Sequence, residues 1–126
     1  MAASGTHTVD EIQRVAQSVA NRIGSLGVAL EKVTIPGSTT ASFLQAGFME
    51  MGMGIHGESG MRQAPMASSR AIASEMLEAI QSYGTLGEDG VTVKPLLKKG
   101  DHVALLVNNL GGTSNFELSI LARDVV

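Results

Sequence analysis

Cysteine is absent from the 126 residues. Disulfides, thiol nucleophiles and thiolate metal sites are therefore outside the chemistry open to this chain. Tryptophan is absent too, and aromatics make up only 3% of the sequence. The core must be packed from Leu, Val, Ile, Ala and Met. There is no basic block, and the formal net charge is −3, so no nucleic-acid partner is expected. No apolar run reaches the ~18 residues that a membrane span requires. The opening Met1–His7 lacks the basic region followed by an apolar stretch that marks a secretory signal. These absences lead us to expect a cytoplasmic chain with no membrane partner.

What is present is aliphatic and globular in character, with 44% hydrophobic and 17% charged residues. That length and composition suit one domain at most. Residues 1–7 read as a flexible lead-in, and 8–126 as the folded part. Thr8 and Glu11 have capping-box spacing. Ile12, Val15, Ala16, Val19, Ala20 and Ile23 then recur at three and four, which predicts an amphipathic helix bracketed by Gly24 and Gly27. Val28–Ile35 predicts a strand closed by a turn at Pro36-Gly37. A second strand is predicted over Phe48–Ile55, with irregular chain over 57–66. Ser68 or Ser69 is expected to cap a helix over about 69–83. A turn-rich connection, Gly84–Gly90, precedes a short edge strand at Val91–Val93 and a polar turn at Lys98–Asp101. Val103–Val107 is a continuous apolar run, the pattern of a strand buried on both faces. It leads through Asn108–Ser114 into a helix over about 114–125. The order of elements gives an α/β fold with a mixed sheet flanked by helices. The sheet is expected to be incomplete, because few strands are available beside 103–107.

The chemistry concentrates in Met49–Gly60, where His56 stands among glycines at 52, 54, 57 and 60. Such a loop offers an imidazole between walls of nearly bare backbone. With an ordinary pKa of about 6.5, the ring is mostly neutral near pH 7 and can act as a base or a nucleophile. The plainer reading is a loop histidine bonded to backbone carbonyls. Glu58 is placed to orient the ring or bind a hydroxyl, or else it is a solvated turn residue. The loop also matches Gly-x-Gly-x-x-Gly, but it runs on to Gly60 and Pro65 without opening a helix, so a dinucleotide site is rejected. His7, His56 and His102 lie far apart with no metal-ligand spacing, and no metal is expected. The methionines at 49, 51, 53, 61 and 66 read as core filler. Asn108, Gly111 and Gly112 form a second candidate loop, on the premise that it follows the carboxyl end of a strand, where ligands bind in open α/β folds. Asn109 there is read as a structural turn residue, with Thr113 or Ser114 as helix cap.

Three blocks carry a family resemblance. They are Gly27-Val28-Ala29-Leu30 running to Ile35-Pro36-Gly37, Gly52-Met53-Gly54-Ile55-His56-Gly57-Glu58, and Leu105-Leu106-Val107-Asn108-Asn109-Leu110-Gly111-Gly112. In order and content they resemble the dihydroxyacetone (glycerone) kinase family, in the second half of its substrate-binding domain. The resemblance implies that His56 adds to the ketone carbon of dihydroxyacetone, or of a similar short-chain ketose or aldose, and holds it as a hemiaminal. It implies substrate contacts from Gly57 and Glu58. It also implies that ATP and Mg²⁺ sit on a separate helical domain, that no cofactor belongs to this segment, and that the full enzyme is a homodimer. Bacterial relatives use a phosphoprotein donor in place of ATP, and animal relatives add an FMN-forming cyclase activity. Ser59 stands where many relatives have Pro. The family's first half and its ATP domain have no counterpart in this sequence. The resemblance therefore implies a partial C-terminal subdomain that captures substrate without transferring phosphate alone. The alternative is a non-catalytic, ligand-binding regulator related to the same subunit.

Overall fold

The computed structural model describes residues 1–31, 36–37, 44–54, 58–86, 90–91 and 93–126. They form two compact units, Met1–Ser25 with Ile80–His102, and Leu26–Ala79 with Val103–Val126.

In the first unit, a short 3-10 turn at Ala2–Ser4 precedes α1, Val9–Ala20. The predicted capping box is present. Glu11 N–H donates to the Thr8 hydroxyl at 3.3 Å, and Thr8 N–H donates to the Glu11 carboxylate at 2.8 Å. Asp10 and Glu11 also place negative charge at the positive end of the helix dipole. The other end differs from expectation. Asn21 caps the helix, its N–H reaching Gln17 O at 3.0 Å, and neither Gly24 nor Gly27 has a positive φ. Gly24 is needed for space instead. A Cβ there would fall 2.6 Å from Ile80 Cγ2 and 2.7 Å from Leu96 Cδ2.

The same unit holds an antiparallel hairpin of two strands, β4 (Gly84–Leu86) and β5 (Val93–Pro95). Gly84–Leu86 was expected to be part of a turn, and the edge strand was expected at Val91–Val93. The strand begins two residues later, where Gly84 lets the Lys94 carbonyl approach and a Cβ would collide with it. Pro95, which has no N–H to donate, closes the pairing opposite Gly84. The turn at Lys98–Asp101 is as expected. Lys98 N–H donates to the Asp101 carboxylate at 2.8 Å, and Gly100 takes a φ of 96°.

The second unit carries β1 (Val28–Ala29), β2 (Phe48–Met51) and β3 (Arg62–Pro65), in the order β1-β2-β3. The helices and unclosed sheet of an α/β chain are thus present, and every pairing among the described residues is antiparallel. Both expected strands are shorter than their patterns, and residues 32–35 of the first lie outside the described residues. Strand β3 was expected to be irregular chain. Its residues lack an apolar run, but β2 supplies a full ladder, with Met49 opposite Ala64 and Met51 opposite Arg62. Met49, Met51, Ala64 and Ile72 form the buried core, with Leu26, Val28 and Met76 packed on it. Ile72 and Met76 come from α2, Ser69–Ser82. The Ser68 hydroxyl accepts Ala71 N–H at 3.3 Å and caps this helix.

Helix α3, Asn115–Val125, starts from a second capping box between Ser114 and Glu117. The side chain of Asp124 near its end is only 3% exposed, lies 2.7 Å from Arg123, and reaches Arg70 of α2 at 3.8 Å. The stretch before it overturns an expectation. Val103–Val107 forms no strand, and Leu106 is 87% exposed. Hydrophobicity alone does not build a strand whose N–H and C=O groups have no ladder to join. None of the five described strands pairs with this stretch. Among the described residues no helix is long and apolar enough to cross a membrane.

Candidate functional site

Strands β2 and β3 are two sides of a hairpin whose connection, residues 52–61, contains the glycine loop. His56 and Gly57 lie outside the described residues, as does Ile55. The stems on either side are described and are tightly built. Gly52 leaves β2 with a φ of 75°, and its N–H donates to Gly27 O at 2.7 Å, so β1 helps to set the exit. A side chain at Gly52 would also meet Met61 Cγ at 2.8 Å. On the return side, Met61 N–H donates to Met51 O at 2.7 Å and closes the neck.

Within the loop, Gly54 N–H donates to Glu58 O at 3.3 Å. The Glu58 side chain lies over Gly54, where a Cβ would overlap its carboxylate. A side chain at 54 would have to displace the exposed carboxylate of Glu58, one of the predicted site residues. Gly60 is more tightly constrained. A Cβ there would collide with the Met51 carbonyl and lie 2.9 Å from Glu50 Cγ.

Glu50 was not singled out by the sequence reading. It sits in the middle of β2 and is only 3% exposed. A buried carboxylate is tolerated when its oxygens receive hydrogen bonds. Here Gly60 N–H donates to Oε1 at 2.6 Å, and Gln63 Nε2 donates to Oε2 at 3.1 Å. The signal in the sequence was the acid itself, placed between Met49 and Met51 where the pattern is otherwise apolar. Beside this neck, Leu26, Met51, Met61, Arg62, Glu75 and Ala79 line a small, mostly apolar depression. Arg62 closes its rim on Glu75.

The second candidate loop is built by Asn109. Its Oδ1 accepts Gly111 N–H at 2.8 Å and Thr113 N–H at 3.3 Å, while its Nδ2 donates to Thr113 O. This is the structural role expected for Asn109. Gly111 takes a φ of 110°, and Asn108, Gly111 and Gly112 are exposed. The premise for a ligand there fails, since no strand precedes the loop. At the start of α3 the Glu117 carboxylate already accepts Ser114 N–H at 2.9 Å. The Ser114 hydroxyl and amide hold the Glu117 carboxyl below its ordinary range. A phosphate at that helix end would meet a negative charge.

Comparison with known proteins assigns the architecture. The model of the Dak1 domain matches residues 1–126. The chain belongs to the Dak1 domain family. It is 40% identical over 118 residues to the human triokinase/FMN cyclase, covering 94% of this chain and 20% of that one. Among solved structures it is similar to the dihydroxyacetone kinase of C. freundii in complex with AMP-PNP and Mg²⁺. The TM-score is 0.77 at 30% identity, over 94% of this chain and 20% of that one. It is also similar to a dihydroxyacetone kinase operon co-activator, with a TM-score of 0.66 at 30% identity, over 94% of this chain and 34% of that one. The resemblance to the dihydroxyacetone kinases read from the three sequence blocks is therefore correct. This Dak1 chain spans about one fifth of the length of the kinases it matches. The C. freundii kinase holds AMP-PNP and Mg²⁺. Among the described residues of this chain, no group of three or more His, Cys, Asp or Glu could hold a metal ion.

Proposed function

We propose that this chain is the ketone-capturing part of a dihydroxyacetone kinase, with His56 as the covalent anchor. The observation that carries the proposal is the fastened neck under the loop. Gly60 packs on the Met51 carbonyl, Gly52 N–H bonds to Gly27 O, and Met51, Met61 and Glu50 fasten both stems. Covalent capture of a small ligand calls for a loop carried on fixed stems. Membership of the Dak1 family supplies the substrate class.

The chemistry follows from neutral imidazole. The unprotonated ring nitrogen of His56 donates its lone pair to C2 of dihydroxyacetone. The carbonyl π pair moves to oxygen, which takes a proton, and the other ring nitrogen gives one up. The product is a neutral hemiaminal that leaves both terminal hydroxyls free. Glycerol has no carbonyl and is rejected by the same step. Gly57 leaves room for the ligand, and Glu58 accepts a hydrogen bond from one of its hydroxyls. Phosphoryl transfer from ATP needs Mg²⁺ and a nucleotide site, which belong to the rest of a cytoplasmic, homodimeric kinase with its own first half and helical ATP domain. A second reading, a ligand-binding regulator without catalysis, is favoured by the similarity to the co-activator.

A phosphotransfer assay with ATP, Mg²⁺ and dihydroxyacetone separates the two. The kinase reading expects turnover by a full-length protein containing this segment, its loss in the His56→Asn variant, and no multiple turnover by the 126-residue chain above a His56→Ala control. A full-length protein that captures dihydroxyacetone without phosphorylating it would favour the regulator. Turnover that survives His56→Asn would remove His56 from the reaction.

A further inference from the structure

We propose that Glu50 is a positioning residue for His56, holding the closing end of the 52–60 loop through the Gly60 amide. The inference rests on the ketone-capture reading but is carried by separate geometry. Glu50 lies on the central strand of the three-stranded sheet, two residues before the loop begins. Its carboxylate is almost fully buried, and its two oxygens take donors from two different places. Oε1 receives the backbone N–H of Gly60 at 2.6 Å. Oε2 receives the side-chain amide of Gln63, the residue directly opposite Glu50 in the β2–β3 ladder, at 3.1 Å. One acid therefore ties the loop's last turn to both strands of its own hairpin.

A charged acceptor makes shorter and stronger hydrogen bonds than a neutral one. The Gly60 bond is of that short kind. Gly60 comes this close only because it has no side chain, since a Cβ there would meet the Met51 carbonyl, Glu50 Cγ and Met53 N. Moving Gly60 away from β2 would break the Glu50 contact. In this proposal Glu50 acts on capture through the Gly60 end of the loop.

Two substitutions separate this role from general support of the fold. Glu50→Met keeps the volume of a strand that is already rich in methionine, and removes both acceptors. Glu50→Gln keeps one oxygen for the Gly60 N–H, and the Gln63 amide can turn to face the new amide. Backbone amide exchange followed by NMR reads the tether without any ligand. In Glu50→Met, exchange at Gly60 should rise about 10- to 100-fold, the range set by a hydrogen bond to a charged group, while Ile72 and Ala73 in α2 stay unchanged. In Glu50→Gln it should stay within about threefold. The adduct signal from dihydroxyacetone labelled with ¹³C at C2 reads the consequence. Its apparent affinity should fall about 10- to 100-fold in Glu50→Met, the scale of a small misplacement of a reacting group, and recover in Glu50→Gln.

Unchanged exchange at Gly60 in Glu50→Met would overturn the tether. A uniform rise across all amides would overturn it as well, leaving Glu50 a support of the fold at large. Altered Gly60 exchange with undiminished capture would overturn the positioning of His56. If the unaltered chain forms no adduct, the ketone reading itself falls, while Gly60 exchange still decides whether Glu50 holds the loop.

Discussion

Two stretches of this chain invert the usual rule about hydrophobic sequence. Phe48–Met51 contains a glutamate and is buried along most of its length. Val103–Val107 contains only aliphatic residues and is largely exposed, with Leu106 at 87%. The difference lies in partners. Strand β2 has β1 on one side and β3 on the other, and α2 lays Ile72 and Met76 against its methionines. The 103–107 stretch has no ladder among the described strands. Burial here follows the availability of neighbours for the backbone, and side-chain hydropathy comes second. The functional consequence is direct. The stretch that is held is the one that carries the glycine loop.

The strongest way to break this comparison is at its centre. Among the described residues, Met49 is the largest fully buried side chain. Met49→Ala should cost about 2–5 kcal/mol, read as a lowered midpoint of urea unfolding. Next comes the neck. Gly60→Ala forces a Cβ onto the Met51 carbonyl, and an overpacked site of this kind costs about 1–3 kcal/mol. The same unfolding curve reports it, with a lost or shifted Gly60 amide resonance to show that the damage is local.

A smaller effect is expected at α3. Ser114→Ala removes the cap of that helix and should cost about 1 kcal/mol. It should also alter the pH dependence. The Ser114 hydroxyl and amide lower the Glu117 carboxyl, and the Arg123 guanidinium foremost, with Arg70 as a further positive charge, lowers that of Asp124. Both carboxyls give up stabilisation only on acidification. It is whole above the unfolded values of about 4 and is lost as pH falls through the lower folded values. Circular dichroism during acid titration should show the decline, shallower in Ser114→Ala than in the unaltered chain. The smallest effect belongs to the exposed run. Leu106→Ser should change stability by no more than about 0.5 kcal/mol. A loss as large as that of Met49→Ala would mean that this run is packed after all, and the contrast would disappear.

How far the sequence revealed all this differs from region to region. The capping box of Thr8 with Glu11 was readable because a cap is local and its spacing is fixed by helix geometry, while at α3 the sequence narrowed the cap to Thr113 or Ser114 and the structure shows Ser114 boxed with Glu117. Helix α2 and the turn at Lys98–Asp101 were readable for the same reason. Strand β3 was not, because Arg62-Gln63-Ala64-Pro65 has no strand pattern of its own and takes its conformation from β2. The 103–107 run was misjudged in the opposite direction, since its pattern promised neighbours that the described fold does not provide. At the candidate site, the glycines around His56 were legible as an open loop. Their reasons were not. Gly54 answers to Glu58 and Gly60 to the Met51 carbonyl, contacts that appear only once the hairpin is formed. Glu50 was hidden by its position, because an acid in a strand reads as its solvent side until the loop folds back over it.

The central claim is that His56 binds a ketone covalently from this neck. ¹³C NMR of dihydroxyacetone labelled at C2, titrated with the 126-residue chain and with His56→Asn, tests it most directly. The account predicts that the ketone signal declines and a tetrahedral-carbon signal appears with the chain, and that neither change occurs with the variant. A tetrahedral signal of equal intensity in His56→Asn, or none with either protein, would contradict it.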